Sequence, residues 1–367
     1  MLIQRGICER RLAAVFPGQS TGSGLDLAAL GDSKVSMSGE HSIRSSEVVL
    51  VTGASGLLGQ HLVRQLLERG YSVRALVRSA TQAGRFSSSV QIACGDIRNR
   101  DDVFRAVSGC SYVLHACSTH VYNLPAQEMW DVNILGTRHI CDAVENYQCE
   151  RLVLTSTISA LSTKPAQTTF ESCLPPRQRN SLCKKIADEL VSSRCLKGLP
   201  AVIVNPPFFV GPYDYSPSPF RLWIPVACIC PVMFVPQGGF NVLGAADVAR
   251  AHLWALEDGN VGAHYPIVGQ NISLRDYVSL VNRAVGSTRE PWILSSHVLK
   301  SLAHGRVFDP YVADLLAKQN FVELQHELPF ALQPLEDVLL EAVQWFKRHS
   351  SLARLFPLMR YAYSHYH

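Results

Sequence analysis

Short apolar runs alternate with amphipathic stretches between residues 47 and 207. The runs read EVVLVTG, YSVRALVR, QIACGD, SYVLHAC, RLVLTST and AVIVNPP, and such short runs are typical of buried parallel strands. Between them, apolar residues recur at helical spacing over residues 56–68, 101–108, 129–145 and 182–195. The alternation predicts an α/β fold with a doubly wound parallel sheet and right-handed crossovers.

The pattern changes after Pro206, where prolines and aromatic residues become frequent. We expect a smaller C-terminal region with a strand near residues 264–268 and a helix over 246–257. Ser273 followed by Asp276 is typical of a capping box that begins another helix, and residues 335–348 form an amphipathic helix. The longest apolar stretch, residues 222–236, is interrupted by three prolines and is too short to span a membrane.

Composition narrows the class of protein. Of the 367 residues, 47% are hydrophobic and 17% charged, which supports a large core. A net charge of +4 without a Lys/Arg cluster argues against a nucleic-acid partner. The eleven cysteines include no CxxC pair, so we expect reduced thiols, no metal site and a cytoplasmic protein.

Residues 1–46 lack sustained periodicity and a secretory apolar run, so we expect a disordered extension. A transit peptide is an alternative, because Arg5, Arg10 and Arg11 lie among apolar residues. A start at Met37 is another.

The segment VTGASGLLG places Gly53, Gly56 and Gly59 between a predicted strand and a predicted helix. In this context glycines allow the backbone to approach a pyrophosphate, which the helix N-terminus then binds. The next strand ends in Val77 and Arg78, where an NAD site usually carries a carboxylate. Because a guanidinium suits a 2′-phosphate, the sequence favours NADP(H) as the cofactor.

Several motifs together resemble the extended (atypical) short-chain dehydrogenase/reductases, including the dihydroflavonol-reductase-like, 3β-hydroxysteroid-dehydrogenase-like and hopanoid-associated epimerase-like proteins. The motifs are TGASGLLG, GDIRN, VLHACS, NILGT, VLTST, KKIADELV and NPPFFVGP, and the resemblance covers about residues 47–350. It implies a Rossmann-type NADP(H)-binding domain over residues 47–206. A mainly substrate-binding region would follow over residues 207–350, and then a tail over 351–367.

The resemblance also implies which residues bind the cofactor. Asn133 matches a structural asparagine of the family. The expected cofactor-binding residues are Gly53, Ser55, Gly56, Leu57, Leu58, Arg78, Asp96, Ile97, Ala116, Cys117, Lys184, Pro206 and Pro207.

The family's chemistry uses a Ser or Thr hydroxyl and a Tyr-x-x-x-Lys pair. Thr157 matches the hydroxyl and Lys184 the lysine, but Asn180 stands where the tyrosine should be. An amide polarises a carbonyl but supplies no proton at neutral pH. His120 and Tyr122, on the segment after VLHACS, are candidate replacement acids. Cys183, directly before Lys184, and Tyr213 are weaker candidates.

Aromatic residues dominate the segment after Pro207, and Arg221 is the only cation between Phe208 and Phe240. This composition argues against a nucleotide sugar and for a hydrophobic small-molecule substrate, although the aromatics could equally be ordinary core. The apolar C-terminal tail is compatible with peripheral contact with a membrane surface. We expect either a monomer or a homodimer.

We therefore expect an NADP(H)-dependent reductase of a hydrophobic carbonyl or imine in secondary or lipid metabolism, with non-standard proton delivery. An epimerase, isomerase or cyclase on the same scaffold is one alternative, and a non-catalytic NADP(H)-binding protein is another. Retention of Thr157 and Lys184 argues against the last of these.

Overall fold

The computed structural model describes residues 47–119, 125–162, 176–215, 223–230, 232–295, 298, 319–322 and 328–349. The expected N-terminal extension and C-terminal tail lie outside these residues, as do the candidate acids His120 and Tyr122.

Thirteen strands and eleven α-helices occur in the described part of the chain. The strands are β1 (Val48–Thr52), β2 (Ser72–Val77), β3 (Gln91–Cys94), β4 (Tyr112–His115), β5 (Arg151–Thr155), β6 (Ala201–Asn205), β7 (Phe208–Val210), β8 (Phe234–Pro236), β9 (Gly239–Gly244), β10 (His264–Pro266), β11 (Gln270–Ser273), β12 (Trp292–Leu294) and β13 (Gln319–Asn320). The helices are α1 (Leu57–Glu68), α2 (Ala80–Ala83), α3 (Arg100–Val107), α4 (Ala126–Trp130), α5 (Gly136–Asn146), α6 (Ile158–Ser162), α7 (Pro176–Cys195), α8 (Trp223–Ile229), α9 (Ala245–Asp258), α10 (Leu274–Val285) and α11 (Leu335–His349), with a π-helical turn at Asp131–Leu135 between α4 and α5.

The first compact unit comprises the chain up to Ser55 together with Leu62–Asn205 and His252–Tyr265. Its seven-stranded sheet has the order β10-β6-β5-β4-β1-β2-β3, and the pairs among β1 to β6 are parallel. The order reverses at β1, between β2 and β4. Open α/β sheets bind ligands at such a switch point, at the carboxyl ends of the strands.

Apolar residues of the central strands bury both faces of this sheet. Leu50 and Val113 are paired on one face of the sheet and Val51 and Leu114 on the other, and all four are fully buried. Each such side chain contributes about 1.5–3 kcal/mol by leaving water. The resulting core fixes where the strands end, and therefore where the residues that follow them lie.

The second unit comprises Gly56–His61, Pro206–Ala251 and the chain from Pro266. Strand β9 pairs with β7, β11 and β13, and β8 pairs with β12 in a separate two-stranded sheet. Ser273 caps α10 by accepting a hydrogen bond from the Asp276 amide at 3.1 Å, which confirms that Ser273 begins the predicted helix. The Asp276 carboxylate accepts from Ser273 Oγ at 2.6 Å, so the cap is a variant of the predicted capping box. Helices α10 and α11 pack with these strands around Phe240, Tyr277 and Trp345.

The structure confirms the predicted α/β fold and its parallel sheet, with three differences. Strand β3, predicted to be buried like the other strands, is mostly exposed because it lies at the edge of the sheet with β2 as its only neighbour there. Helix α7 begins at Pro176, earlier than the periodicity indicates, because the polar first turns carry no apolar spacing. Strand β10, predicted within the C-terminal region, joins the edge of the first sheet beside β6.

Candidate active site

Strand β1 runs directly into a tight turn at Gly53. The φ of Gly53 is +65°, and a Cβ there would lie 2.8 Å from the carbonyl carbon of Ala116 and from Cα of Cys117. The turn therefore packs against the backbone that follows β4, an approach that only glycine permits. The Cys117 amide also donates to Thr52 Oγ1 at 3.2 Å. This geometry suits a turn that carries phosphate-binding amides.

The rest of the predicted phosphate-binding segment leads into α1. The Ser55 carbonyl accepts a hydrogen bond from Arg85 Nη1 at 2.9 Å, which holds the turn in place. Gly56 and Leu57 are half-buried, whereas Leu58 is only 6% exposed. Because the Leu58 side chain is part of the interior, only its backbone is left for a role in binding.

Arg78 lies just beyond the end of β2 with its side chain exposed. Its backbone amide donates to Gln82 Oε1 at 2.8 Å, and its guanidinium makes no hydrogen bond with the residues described. Asp96, beyond β3, is bound by Arg98 through Nε at 3.0 Å and Nη2 at 2.7 Å. Arg98, and more weakly Arg78, lowers the pKa of the Asp96 carboxyl despite its partial burial. The site beside β2 thus offers a positive charge that the protein leaves available.

Ile97, the neighbour of Asp96, has a different environment. Its side chain is 4% exposed and belongs to the core of the first unit. Its carbonyl oxygen lies 3.2 Å from His139 Nδ1. As with Leu58, only the backbone of Ile97 could face a ligand.

His115 ends β4 and connects three elements of the first unit. Its Nδ1 lies 2.7 Å from Thr52 Oγ1 and its Nε2 lies 3.1 Å from Thr137 Oγ1. Burial lowers the pKa of His115 to about 3, so the ring is neutral at physiological pH. It holds the ends of β1 and β4 together, where the strand order reverses.

Asn133, on the π-helical turn, holds the segment after β4. Its Oδ1 accepts from the Thr119 amide at 2.8 Å, and its Nδ2 donates to the Thr119 carbonyl at 2.9 Å. The side chain is 2% exposed. This bidentate contact suits the structural role that the resemblance implies for Asn133.

Three polar residues lie on one face of α7, because Asn180, Lys184 and Asp188 follow one another at a spacing of four residues. Lys184 is 9% exposed, and its Nζ donates to the carbonyl of Thr155 at 2.7 Å. The lysine is therefore fixed at the carboxyl end of β5.

Asp188 lies deeper on the same face, with 3% exposure. Its Oδ2 accepts from Ser156 Oγ at 2.7 Å and from Asn205 Nδ2 at 3.3 Å. Burial raises the pKa of Asp188, although both hydrogen bonds and the Lys184 ammonium oppose the shift. A buried carboxyl with a raised pKa is typical of functional sites.

Thr157 is half-buried and belongs to the same network. Its carbonyl accepts from Asn205 Nδ2 at 3.2 Å, and its Oγ1 accepts a long bond of 3.4 Å from the Ser159 amide. The Thr157 hydroxyl proton is engaged by no described residue. Asn180 Oδ1 is buried and likewise has no partner among the residues described. Both groups therefore keep unused hydrogen-bonding capacity for a ligand.

The structure thus groups two sets of the predicted residues within the first unit. Gly53, Ala116 and Cys117 meet at the ends of β1 and β4. Thr157 and Lys184 lie at the end of β5. Pro206 and Pro207 are buried and begin the second unit.

The sequence did not predict a site role for Asp188 or Asn205, or the connecting role of His115. For Asp188 a signal was available, since an acid on a helix between apolar Ala187 and Leu190 interrupts the buried face. The hydrogen bonds of Asn205 and His115 join distant segments and leave no local signal.

Several aromatic residues of the second unit pack against one another. Tyr213, one of the weaker candidate acids, has edge contacts with His61 at 5.3 Å and Trp345 at 5.9 Å between ring centroids. Phe208 packs on Phe240 at 5.9 Å. A cavity beside them, lined by Asp214, has a volume of about 20 Å³, enough for one water molecule. These aromatic side chains therefore belong to, or pack against, the core of the second unit.

Three further expectations concern cysteines, metals and membranes. The nine cysteines that the structure describes are all free thiols. No group of three metal-ligating side chains occurs within the described ranges. None of the helices described here is long and apolar enough to cross a membrane.

The fold is that of the short-chain dehydrogenase/reductase class. Residues 49–268 match the model of the NAD dependent epimerase/dehydratase family, and the chain belongs to this family.

Two curated relatives and one solved structure illustrate its range. The chain is 30% identical over 261 residues to sterol demethylase protein B of Methylococcus capsulatus, covering 69% of this chain and 79% of the relative. It is 28% identical over 338 residues to a putative dihydroflavonol 4-reductase of Synechocystis, covering 84% of this chain and 97% of the relative. The crystal structure of gox2253 superposes with a TM-score of 0.69 at 27% identity, covering 83% of this chain and 99% of that one.

Proposed function

We propose that the protein is an NADP(H)-dependent reductase of a hydrophobic carbonyl or imine compound in lipid or secondary metabolism. The observation that carries the cofactor choice is Arg78. Its guanidinium is exposed and unused at the end of β2, and the carboxyl of Asp96 nearby is already bound by Arg98. A 2′-phosphate would give Arg78 an anionic partner for bidentate hydrogen bonds, whereas a bare ribose hydroxyl carries no charge.

The glycine turn supports dinucleotide binding. At Gly53 a Cβ would occupy space that the backbone after β4 already fills, and the turn is braced by Arg85. The amides that follow would hold the pyrophosphate at the start of α1. When bound, the nicotinamide ring supplies a hydride to the substrate carbon.

Three residues of the first unit would act on the substrate oxygen and the cofactor ribose. The Thr157 hydroxyl is free to donate to the oxygen. Lys184, fixed by the Thr155 carbonyl, would carry positive charge beside the ribose hydroxyls. Asn180 would orient the substrate by hydrogen bonding, because an amide has no proton to give at neutral pH.

A hydrophobic substrate is supported by composition and by the relatives. One relative is named for sterol demethylation and another for reduction of a dihydroflavonol. The segment between Phe208 and Phe240 has Arg221 as its only cation, which disfavours a nucleoside-diphosphate sugar.

The cofactor assignment is tested by Arg78→Ala, with binding of NADPH and of NADH followed by quenching of protein fluorescence. We expect NADPH affinity to fall at least tenfold while NADH affinity changes little. Arg64→Ala, at an exposed cation of α1 paired with Glu68, is the matched control. Equal losses for both nucleotides would reject the assignment to NADP(H).

The reaction is tested by incubating the protein and NADPH with cyclic ketones, sterol ketones and cyclic imines. A reductase oxidises one NADPH for each alcohol or amine formed. Because an epimerase or isomerase restores its cofactor in each cycle, product without net NADPH oxidation would indicate that alternative. Tight NADP(H) binding without any turnover would instead indicate a non-catalytic protein.

A further inference from the structure

The structure presents an acid that the mechanism above does not use. Asp188 is 3% exposed, and its carboxyl lies one helical turn beyond Lys184 on the same face of α7. Its Oδ2 is held by Ser156 and Asn205, while its Oδ1 is buried without a partner among the described residues. An unpaired buried carboxylate oxygen is costly, so its retention requires a reason.

Lys184 is a buried cation, whereas Asp188 is a buried acid. Burial lowers the pKa of its ammonium group, and its one hydrogen bond to a described residue, to the Thr155 carbonyl, satisfies only one of its three protons. Without a compensating charge, burial would favour the neutral amine of Lys184 over its ammonium form. A neutral amine would then hold no positive charge at the site.

Asp188 is the anion that acts on this lysine. The other titratable groups that influence the pair are His115, Cys117, Cys183 and Lys185. His115 is neutral, because burial lowers its pKa to about 3, and burial raises the pKa of the Cys117 thiol to about 11. Lys185 is a further cation, 3.7 Å from Glu189. Among these groups, Asp188 provides the compensating carboxylate.

We propose that Asp188 is a positioning residue that keeps the proton on Lys184, so that the lysine serves as the proton store of a site that has Asn180 in place of tyrosine. The catalytic use of this proton rests on the proposed reductase function. In that reaction the substrate oxygen takes a proton from the Lys184 ammonium, an O–H bond forms as an N–H bond breaks, and the resulting amine is reprotonated from water.

Ser156 and Asn205 explain how the carboxyl is kept in place. Both follow or end strands of the first sheet, β5 and β6, and both donate to the same oxygen of Asp188. Their hydrogen bonds stabilise the ionised carboxylate, which is the form that holds the proton on Lys184.

The test titrates Lys184 directly in the full-length protein, without cofactor or substrate. The chain contains eight lysines, so protein labelled with 13Cε-lysine gives few signals, and Lys184→Arg identifies the one that belongs to this residue. In Asp188→Asn, which keeps the shape and loses the charge, we expect the titration midpoint of Lys184 to fall by about one pH unit or more. Asp142→Asn, which breaks the ion pair of Asp142 with Arg194 at 2.6 Å, should leave the midpoint unchanged.

A second variant covers the outcome in which Asp188→Asn does not fold. Ser156→Ala keeps the carboxyl but removes a donor to it, and should lower the Lys184 midpoint by a smaller amount in the same direction. An unchanged midpoint in the variant that folds would overturn the proposal. Because no turnover is measured, this result is independent of whether NADPH is oxidised in the carbonyl assay.

Discussion

The hydroxyl of Thr52 lies 2.7 Å from Nδ1 of His115 and so connects the carboxyl ends of β1 and β4. The same oxygen accepts the amide of Cys117 at 3.2 Å. One buried hydroxyl therefore satisfies two groups at the switch point of the sheet, directly beside the glycine turn. The geometry of the proposed nucleotide site depends on this contact.

Replacing Thr52 by Val should test that dependence. The change preserves shape but leaves the imidazole nitrogen and the Cys117 amide unpaired, so we expect a loss of about 1–3 kcal/mol in the free energy of unfolding. NADPH affinity should fall as well, because the turn loses its support. Urea denaturation and fluorescence titration measure the two effects. Thr288→Val, at an exposed threonine, is the control; a Thr52 variant as stable as this control would show that the contact contributes nothing.

His115 should make stability depend on pH. Burial lowers its folded-state pKa to about 3, below its unfolded value near 6.5, so the unfolded chain binds the extra proton first. The contribution is fully present above pH 6.5 and is lost as the pH falls toward 3, at about 1.4 kcal/mol per pH unit. Asp188, with its raised pKa, contributes a slope of opposite sign in part of this range.

The measurement compares unfolding of wild type and His115→Asn between pH 4 and pH 8. We expect the variant to be less stable at pH 8. Below pH 6.5 its free energy of unfolding should depend less steeply on pH, by the contribution of one bound proton. His349→Asn, at an exposed residue near the end of α11, is the control substitution. Parallel curves for wild type and His115→Asn would contradict the assignment of that slope to the buried imidazole.

Gly53→Ala separates backbone strain from collision. Both Gly53 (φ +65°) and Gly109 (φ +74°) have left-handed backbones, but only at Gly53 would a Cβ meet other atoms, whereas at Gly109 nothing lies within 4 Å. We expect Gly109→Ala to cost about 1–2 kcal/mol and to leave NADPH binding intact. Gly53→Ala should cost more and abolish binding, as shown by thermal unfolding and NADPH titration. Similar behaviour of the two variants would mean that the close approach at Gly53 is unimportant.

Much of the first unit was predictable because its signals are local. The runs that became β1 to β6 are mostly apolar, and Gly53, Arg78 and Lys184 each lie at a fixed place in a short motif. The second sheet was not predicted, because its strands pair across distant segments and do not alternate with helices as the strands of the first sheet do. Strands β7 and β13, with three and two residues, are in addition too short to show a period.

The network around Asp188 was hidden for a related reason. Its contacts with Ser156 and Asn205 span 32 and 17 residues of sequence, so they exist only once β5, β6 and α7 have packed together. A sequence motif identifies residues at positions that the members of a family share. The partners of Asp188, in contrast, are determined by how buried elements pack together.

Restoring the tyrosine tests how the proton is delivered. If Lys184 supplies the proton, Asn180→Tyr adds a second acid that the site does not need, and the larger side chain enters a position where Asn180 Oδ1 is already buried. We therefore expect kcat/KM for carbonyl reduction to stay level or fall, and Asn180→Phe, which has the same bulk without the hydroxyl, to behave alike. Steady-state rates with NADPH measure both variants. A tyrosine variant faster than wild type and than the phenylalanine control by about 10²–10⁴, the usual contribution of a general acid, would show that the natural site simply lacks one.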